Sequence, residues 1–328
     1  MKSGKREFLA GMAGWGLVAG LPRAWAQPSF PAKPIRIVVP NAAGGAADIT
    51  ARTIAQKISG PLGQSVIIEN KPSAGGIVAG ETVARAEPDG HTILLVSSGT
   101  AVSAALFKSL PFDTLKDFAP VSQLATFDLA IAVAQNSRFK TLKELLDYAR
   151  ANPGKLNVGT PQVGTTQQLS AELFKSTSGT DFQIVPFNGT PPVITALRGG
   201  QLDAMIDILG PLMPQLTSHA LRPLAVMGRQ RAPQLPDVPT VAESGGPLDK
   251  FDVSSWNGLA VPARTPPAAI ARLNREIQAA LAQPEVQKRF LELNLVAKGG
   301  TPQQLEERLA SDIRRWSDVI ARAKIAKQ

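Results

Sequence analysis

Two short stretches carry the residues whose types and spacing could do chemistry. The first, Asn41 to Asp48, reads NAAGGAAD and sits between a β-branched run and a helical run. A strand, a glycine-bearing loop and a helix start present free backbone N–H groups, and the helix dipole favours negative charge there. Asn41, Ala42, Ala43, Gly44, Gly45, Ala46 and Ala47 therefore read as one jaw of a pocket for a small anion such as a carboxylate. The second stretch, Gly159 to Gln167, reads GTPQVGTTQ and again joins a strand to a helix. Thr160, Thr165 and Thr166 supply hydroxyls, and Gly159 and Gly164 allow a close backbone approach. Either Thr165 or Thr166 is expected to cap the helix while its neighbour faces a ligand. Hydrogen bonds to a charged acceptor are worth about 1.5–3 kcal/mol each, so such donors can hold a carboxylate without arginine. Each loop taken alone also fits an ordinary capped turn of an α/β fold.

Catalytic readings find little support. The two histidines, His91 and His219, have no acid or second histidine at ligand spacing, so no metal site is expected. Neither a G-x-S-x-G elbow nor a phosphate-binding Walker loop occurs. Gly75-Gly76-Ile77-Val78-Ala79-Gly80 imitates a dinucleotide fingerprint with the wrong spacing, and helix packing is the expected reason for its glycines. No catalytic residue and no cofactor is assigned. A secreted enzyme is the remote alternative.

The elements that must position these loops alternate between strand and helix, the pattern of a parallel α/β sheet. Expected strands are Ile35–Val39, Val66–Glu69 and Thr92–Val96, with helices Ala46–Ser59 and Gly76–Ala86 between them. Gly60-Pro61-Leu62-Gly63 reads as a helix stop. The third strand runs into Ser97-Ser98-Gly99-Thr100, read as a loop whose Ser98 and Thr100 share the crevice, since ligands sit at strand carboxyl ends in such sheets. Extended runs at Val121–Leu124 and Leu129–Val133 precede a second cycle. That cycle has helix Leu142–Ala151, strand Leu156–Val158, helix Thr166–Ser176, strand Phe182–Val185, helix Val193–Leu197, and strands Ala204–Ile208 and Leu221–Val226. Arg229 to Pro247 is a linker, Ser254–Val261 is again strand-like, and the tail is helical over Pro267–Ala282, Glu285–Leu293 and Pro302–Lys324. The pattern predicts two lobes joined by two extended crossings, near Gln123 and near Val253, with the last helices returning to the first lobe. The expected boundaries are 1–26, 27–124, 125–252 and 253–328.

Composition narrows the setting. The 328 residues are 44% hydrophobic and 19% charged, a globular profile long enough for two domains. Residues 1–26 read as a secretory signal: Lys2, Lys5 and Arg6, then an apolar run from Phe8 to Leu21, then Ala24 and Ala26 at cleavage positions. Lys5-Arg6-Glu7-Phe8-Leu9 also resembles a twin-arginine signal with lysine in the first place. Cysteine is absent, which excludes a lipid anchor on cysteine, disulfides and thiolate chemistry. The expected address is the free periplasm. The chain carries a net charge of +9, and four bases against one acid in the signal leave +6 for the mature part. That mild excess assists solubility and the capture of acidic ligands. No basic run interleaved with aromatics points to nucleic acid.

The motifs taken together resemble one family. Lys33-Pro34-Ile35-Arg36-Ile37-Val38-Val39-Pro40 with Gly44-Gly45, Asp48 and Ala51-Arg52, then Val66–Pro72 with Ala74-Gly75-Gly76, are similar to the opening of the Bug family, the periplasmic receptors of tripartite tricarboxylate transporters. Pro88-Asp89-Gly90-His91-Thr92, Phe112-Asp113 with Lys116 to Pro120, Val185 to Gly189 with Pro192, and Leu235 to Thr240 extend the resemblance along the mature chain. It implies a two-lobed, type II periplasmic-binding-protein fold, with two crossover strands between lobes, that closes over a small organic acid without catalysis. A monomer is implied, with a membrane permease of the tripartite type as partner, or alternatively the periplasmic domain of a sensor kinase. The resemblance places Asn41 to Gly45 at the groups that hold a carboxylate through two waters, and Asp48 at a position that ties down that loop. It adds Gly164 to Gln167 as facing donors, and Phe187, Asn188 and Asp207 as cleft residues. Three departures bear on specificity: Asn41 replaces a usual aromatic, Gln168 a usual histidine, and Phe187-Asn188 a usual Tyr-Lys. They favour a compact hydroxylated or amide-bearing acid over a large aromatic one.

Overall fold

The computed structural model describes residues 30–328, so the expected signal, residues 1–26, lies outside the described residues. Strands β1 (Ile35–Val39), β2 (Val66–Asn70) and β3 (Thr92–Ser97) lie parallel, alternating with helices α1 (Ala46–Leu62), α2 (Ile77–Ala84) and α3 (Ser98–Leu106). Next comes one long strand, β4 (Phe118–Ala134), then α4 (Leu142–Ala151), β5 (Asn157–Pro161), α5 (Thr166–Ser178), β6 (Gln183–Phe187) and α6 (Thr190–Arg198). The chain continues through β7 (Ala204–Ile208), α7 (Leu209–Thr217), β8 (Leu221–Val226) and β9 (Ser254–Pro262). It ends with α8 (Pro267–Leu281), α9 (Pro284–Glu292), β10 (Leu295–Ala297) and α10 (Pro302–Arg322).

The pairing path is continuous, in the order β2-β1-β3-β9-β4-β7-β5-β6, with β8 and β10 also on β4. Continuity runs through β4 alone, which exchanges partners part-way. From Phe118 to Asp128 it pairs with β9, and from Leu129 onward with β7 and, from Ala130, with β8. The two expected extended runs are thus one strand. Register shifts after Pro120 and after Gln123 absorb the proline and bend the strand. The second connection returns through residues 227–253, where the Val253 amide donates to the Met227 carbonyl at 2.8 Å. The exchange of partners at Asp128/Leu129 lies a few residues beyond the expected crossing at Gln123.

Burial explains why each half holds together. β1 and β3 are apolar on both faces because helices cover both, as in parallel sheets generally. The C-terminal helices close over the first half: α8 packs on α1, α10 packs on α3, and the Trp256 indole donates to Asp312 at 2.6 Å. A smaller cluster around Val193, Leu197, Met205, Leu212 and Val226 fills one face of the second half, and the main core covers the other through Leu145, Val158, Phe174 and Ile206.

Several local expectations need correction. Helix α1 runs through Gly60 and Pro61 to Leu62 and stops at Gly63 in a left-handed conformation. Proline in the last turn forfeits one backbone bond, and Gly60 before it has no Cβ to clash with the ring. Ser97 to Thr100 is the start of α3 rather than a loop, closed by a Ser97–Thr100 capping box. Gly75 and Gly76 have positive φ, +63° and +66°, in addition to close packing: a Cβ would lie 2.6 Å from Phe107 and 2.8 Å from Pro40, as one at Gly80 would meet Phe112. Helix α7 and strand β10 have no counterpart in the sequence reading.

Candidate functional site

The partner exchange in β4 leaves a cleft between two sets of strand ends. The first half contributes the starts of α1 and α3, and the second contributes the starts of α5 and α6. All four reach one opening of about 490 Å³, through Ala42 and Gly45 to Ala47, Ser97 and Gly99, Thr165 to Gln167, and Gly189 with Thr190. Ile208, the residue preceding α7, adds a fifth helix start, and Ser255 and Asn257 of β9 form the back. No residue lining this opening carries a charge. The first turns of α1, α6 and α7 receive no side-chain cap; α1 offers its leading N–H groups to an anion, whereas Pro191 and Pro192 leave α6 only that of Thr190, and Pro211 leaves α7 those of Leu209 and Gly210.

The two halves already touch. The Gly75 amide donates to the Val163 carbonyl at 2.9 Å, and the Ser103 hydroxyl donates to the Gly164 carbonyl at 3.0 Å. Ser98 Oγ lies 2.6 Å from Thr166 Oγ1 and also bonds Ser255. The Asn41 amide donates to Gln162 Oε1 at 3.1 Å. This is a closed cleft. A second opening, about 480 Å³, adjoins the first and shares Asn41, Ser97, Gly99, Gln162 and Thr165 with it.

The sequence-predicted residues divide into three groups. Asn41, Ala42, Gly45, Gly164, Thr165, Thr166 and Thr100 line one or both openings. Thr165 is the helix cap: its Oγ1 accepts from the Gln168 amide at 3.3 Å and donates to the Gln162 carbonyl at 2.8 Å. Thr166 is then the neighbour that faces across the cleft. A second group supports the walls. Asp48 accepts from the Gly44 amide, from Arg52 and from Asn70, all near 3 Å, which fixes the loop. Burial would raise its pKa, but the Arg52, Gly44 and Asn70 hydrogen bonds and the Arg52 charge hold it below the ordinary carboxylate value. Asp207 is fully buried behind Gln167, which donates to Oδ1 at 3.0 Å, and the Ile208 amide donates at 2.7 Å. Burial pushes its pKa up to about 6 against these bonds. Ser98 is buried at the contact between halves, and Thr160 is buried in β5 with an unpartnered hydroxyl.

The third group is set apart. Ala43 and Gly44 are exposed on the outer rim, Phe187 packs into the second-half core, and Asn188 is exposed. None of these four lines either opening. Their neighbours do so instead: the backbone turns at Gly189, φ +111°, and aims the start of α6 inward. Gln167, expected among the facing donors, lines the first opening, and residues outside the predicted set are Ser97, Gln162, Thr190, Ser255 and Asn257. Ser97 and Gln162 sit inside the motifs already singled out. Ser255 and Asn257 alternate along β9, a signal visible only once that strand is known to run beside β3. Among the described residues, no cluster of histidine and acidic side chains could hold a metal ion.

Comparison with known proteins follows the same geometry. A profile described as "Tripartite tricarboxylate transporter family receptor" matches residues 50–325. A UPF0065 protein of Pseudomonas sp. (strain P51), from the tcbD–tcbE intergenic region, is 37% identical over 97% of this chain and 94% of its own length. BugT of Bordetella pertussis is 32% identical over 92% and 93%. Among solved structures, MatC from Rhodopseudomonas palustris with bound malate has a TM-score of 0.84 and 34% identity, covering 89% of this chain and all of its own. An R. palustris protein with adipate has a TM-score of 0.87 and 31% identity, covering 90% and 99%.

Proposed function

The chain belongs to the tripartite tricarboxylate transporter receptor family, whose members are periplasmic solute-binding proteins, and from that premise we propose that it captures a small organic acid between its two halves and delivers it to a membrane permease. The observation that carries the reading is the convergence of helix starts from both halves on one uncharged opening. Each start carries a partial positive charge, and α1 adds first-turn N–H groups that no side chain caps. An anion placed there meets donors on every side, without a salt bridge that would demand desolvation of a lysine or arginine. Malate and adipate, held by two relatives, are both small carboxylates.

Closure is the second half of the proposal. Two halves joined through β4 and residues 227–253 part to admit the ligand and close to surround it, a hinge motion about the point where β4 exchanges partners. Capture needs no chemical step, and we assign none. A signal peptide over residues 1–26 would place the mature protein in the periplasm, and N-terminal sequencing of the exported protein checks that address.

Calorimetry against malate, adipate, succinate and their diamide counterparts tests the function. Acids are expected to bind with micromolar or better affinity and the diamides at least about tenfold more weakly, the difference of one charge-assisted bond. Equal binding of acids and diamides would remove the basis of the reading.

A further inference from the structure

Of the described residues lining the two openings, Gln162 alone has a buried side-chain polar atom without a partner. The residue is 6% exposed, and its Nε2 has no hydrogen bond. Everything else about it is fixed. Its amide donates to the Phe187 carbonyl at 2.8 Å, and its carbonyl accepts from Thr165 Oγ1 at 2.8 Å. Its side-chain Oε1 accepts from Asn41 across the cleft at 3.1 Å. Gln162 lines both openings, and the bond from Asn41 to Oε1 restrains the amide that carries the Nε2 donor. A desolvated donor held in place is the arrangement by which a site rejects ligands lacking an acceptor, because such ligands leave it unpaired.

We propose that Gln162 is a specificity-determining contact whose Nε2 donates to a second acceptor on the bound acid, with Asn41 as the residue that positions it. The inference rests on the carboxylate reading above and deepens it. One carboxylate of the ligand lies at the helix starts, and a hydroxyl, carbonyl or second carboxylate reaches the boundary between the openings. The ligand is then a hydroxy acid, an oxo acid or a short dicarboxylate, and a simple fatty acid of equal length is rejected. Asn41 closes this contact only when the halves are together, so reading the second acceptor and closing the cleft are coupled.

The test is calorimetry of malate, succinate and butyrate on the wild type, Gln162→Leu, Gln162→Met and Asn41→Ala. The wild type is expected to favour malate or succinate over butyrate by on the order of tenfold to a hundredfold. In Gln162→Leu this preference falls to about twofold while butyrate binding persists, since only the donor has gone. Asn41→Ala weakens the preference without abolishing it. If Gln162→Leu fails to fold, as judged by its melting curve, Gln162→Met decides: it keeps the length, removes the donor without adding a charge and must lose the preference for malate and succinate over butyrate. An unchanged ranking in the variant that decides overturns the role of Gln162 and leaves the carboxylate reading standing. If no acid binds the wild type, the functional reading and this inference fail together.

Discussion

The hydroxyl oxygens of Ser98 and Thr166 lie 2.6 Å apart, one at the start of α3 and the other at the start of α5. They belong to opposite halves of the molecule, and both are buried. Two helix starts that meet tip to tip concentrate positive potential at a single place. The same contact requires the halves to be closed, so one pair of hydroxyls links the electrostatics of the site to its conformation.

Removing that pair should loosen closure. Ser98→Ala with Thr166→Ala is expected to weaken acid binding by roughly fivefold, the value of one net hydrogen bond of about 1 kcal/mol. Small-angle scattering on the unliganded double variant should show a larger radius of gyration than the wild type. Unchanged affinity and dimensions would show that the contact does not hold the halves.

Gly164 offers a steric version of the same experiment. Its φ is +77°, and a Cβ there would lie 2.8 Å from the Gly75 Cα and 2.8 Å from the Phe107 ring. Gly164→Ala should therefore favour the open form and cut affinity by more than about tenfold, from a strain of 1–2 kcal/mol plus the backbone clash. Calorimetry combined with scattering checks this, with an open form at saturating ligand as the expected sign.

Asp48 gives a pH dependence of definite sign. Its folded-state pKa lies below the ordinary value of 3.8. Its stabilising contribution is thus fully present above that value and is lost as pH falls through the folded pKa. Asp48→Ala should lower the melting temperature at pH 7, and the gap from wild type should narrow toward pH 3. Ligand affinity should fall with the loop tie, because Gly44 loses its acceptor.

Asp207 behaves in the opposite way. Its pKa is raised to about 6, chiefly by burial, so the folded protein holds this proton more tightly than the unfolded chain. The carboxyl contributes most below the ordinary value of 3.8, and stability is lost between that value and pH 6. The loss is on the order of 3 kcal/mol. Asp207→Asn, which stays neutral, should flatten the stability profile between pH 4 and pH 6.5; melting curves across that range read the difference.

Much of this architecture is visible in the residues themselves. The strand of β-branched residues Ile35–Val39 and the Thr301-Pro302 helix start are local signals, and the structure has both. Thr165 and Thr166 carry complementary roles that capping rules anticipate without saying which residue takes which. What a sequence does not reveal is contact across long separations. Gln162 meets Asn41 over 121 residues, and Ser255 meets Ser98 over 157, so neither partnership leaves a periodic trace. Phe187 and Asn188 illustrate the converse: the loop they belong to was found, but the turn at Gly189 sends the next residues inward and leaves these two outside the openings.

The central claim is that neutral donors at helix starts from both halves hold a carboxylate without a charged partner. A crystal structure with the acid that most raises the melting temperature, chosen from a panel including malate and adipate, tests it most directly. The account predicts carboxylate oxygens bonded, directly or through one water, to first-turn N–H groups of α1 and to donors at the start of α5, with no lysine or arginine in contact. A carboxylate paired with a basic side chain, or bound outside the space between the halves, would contradict it.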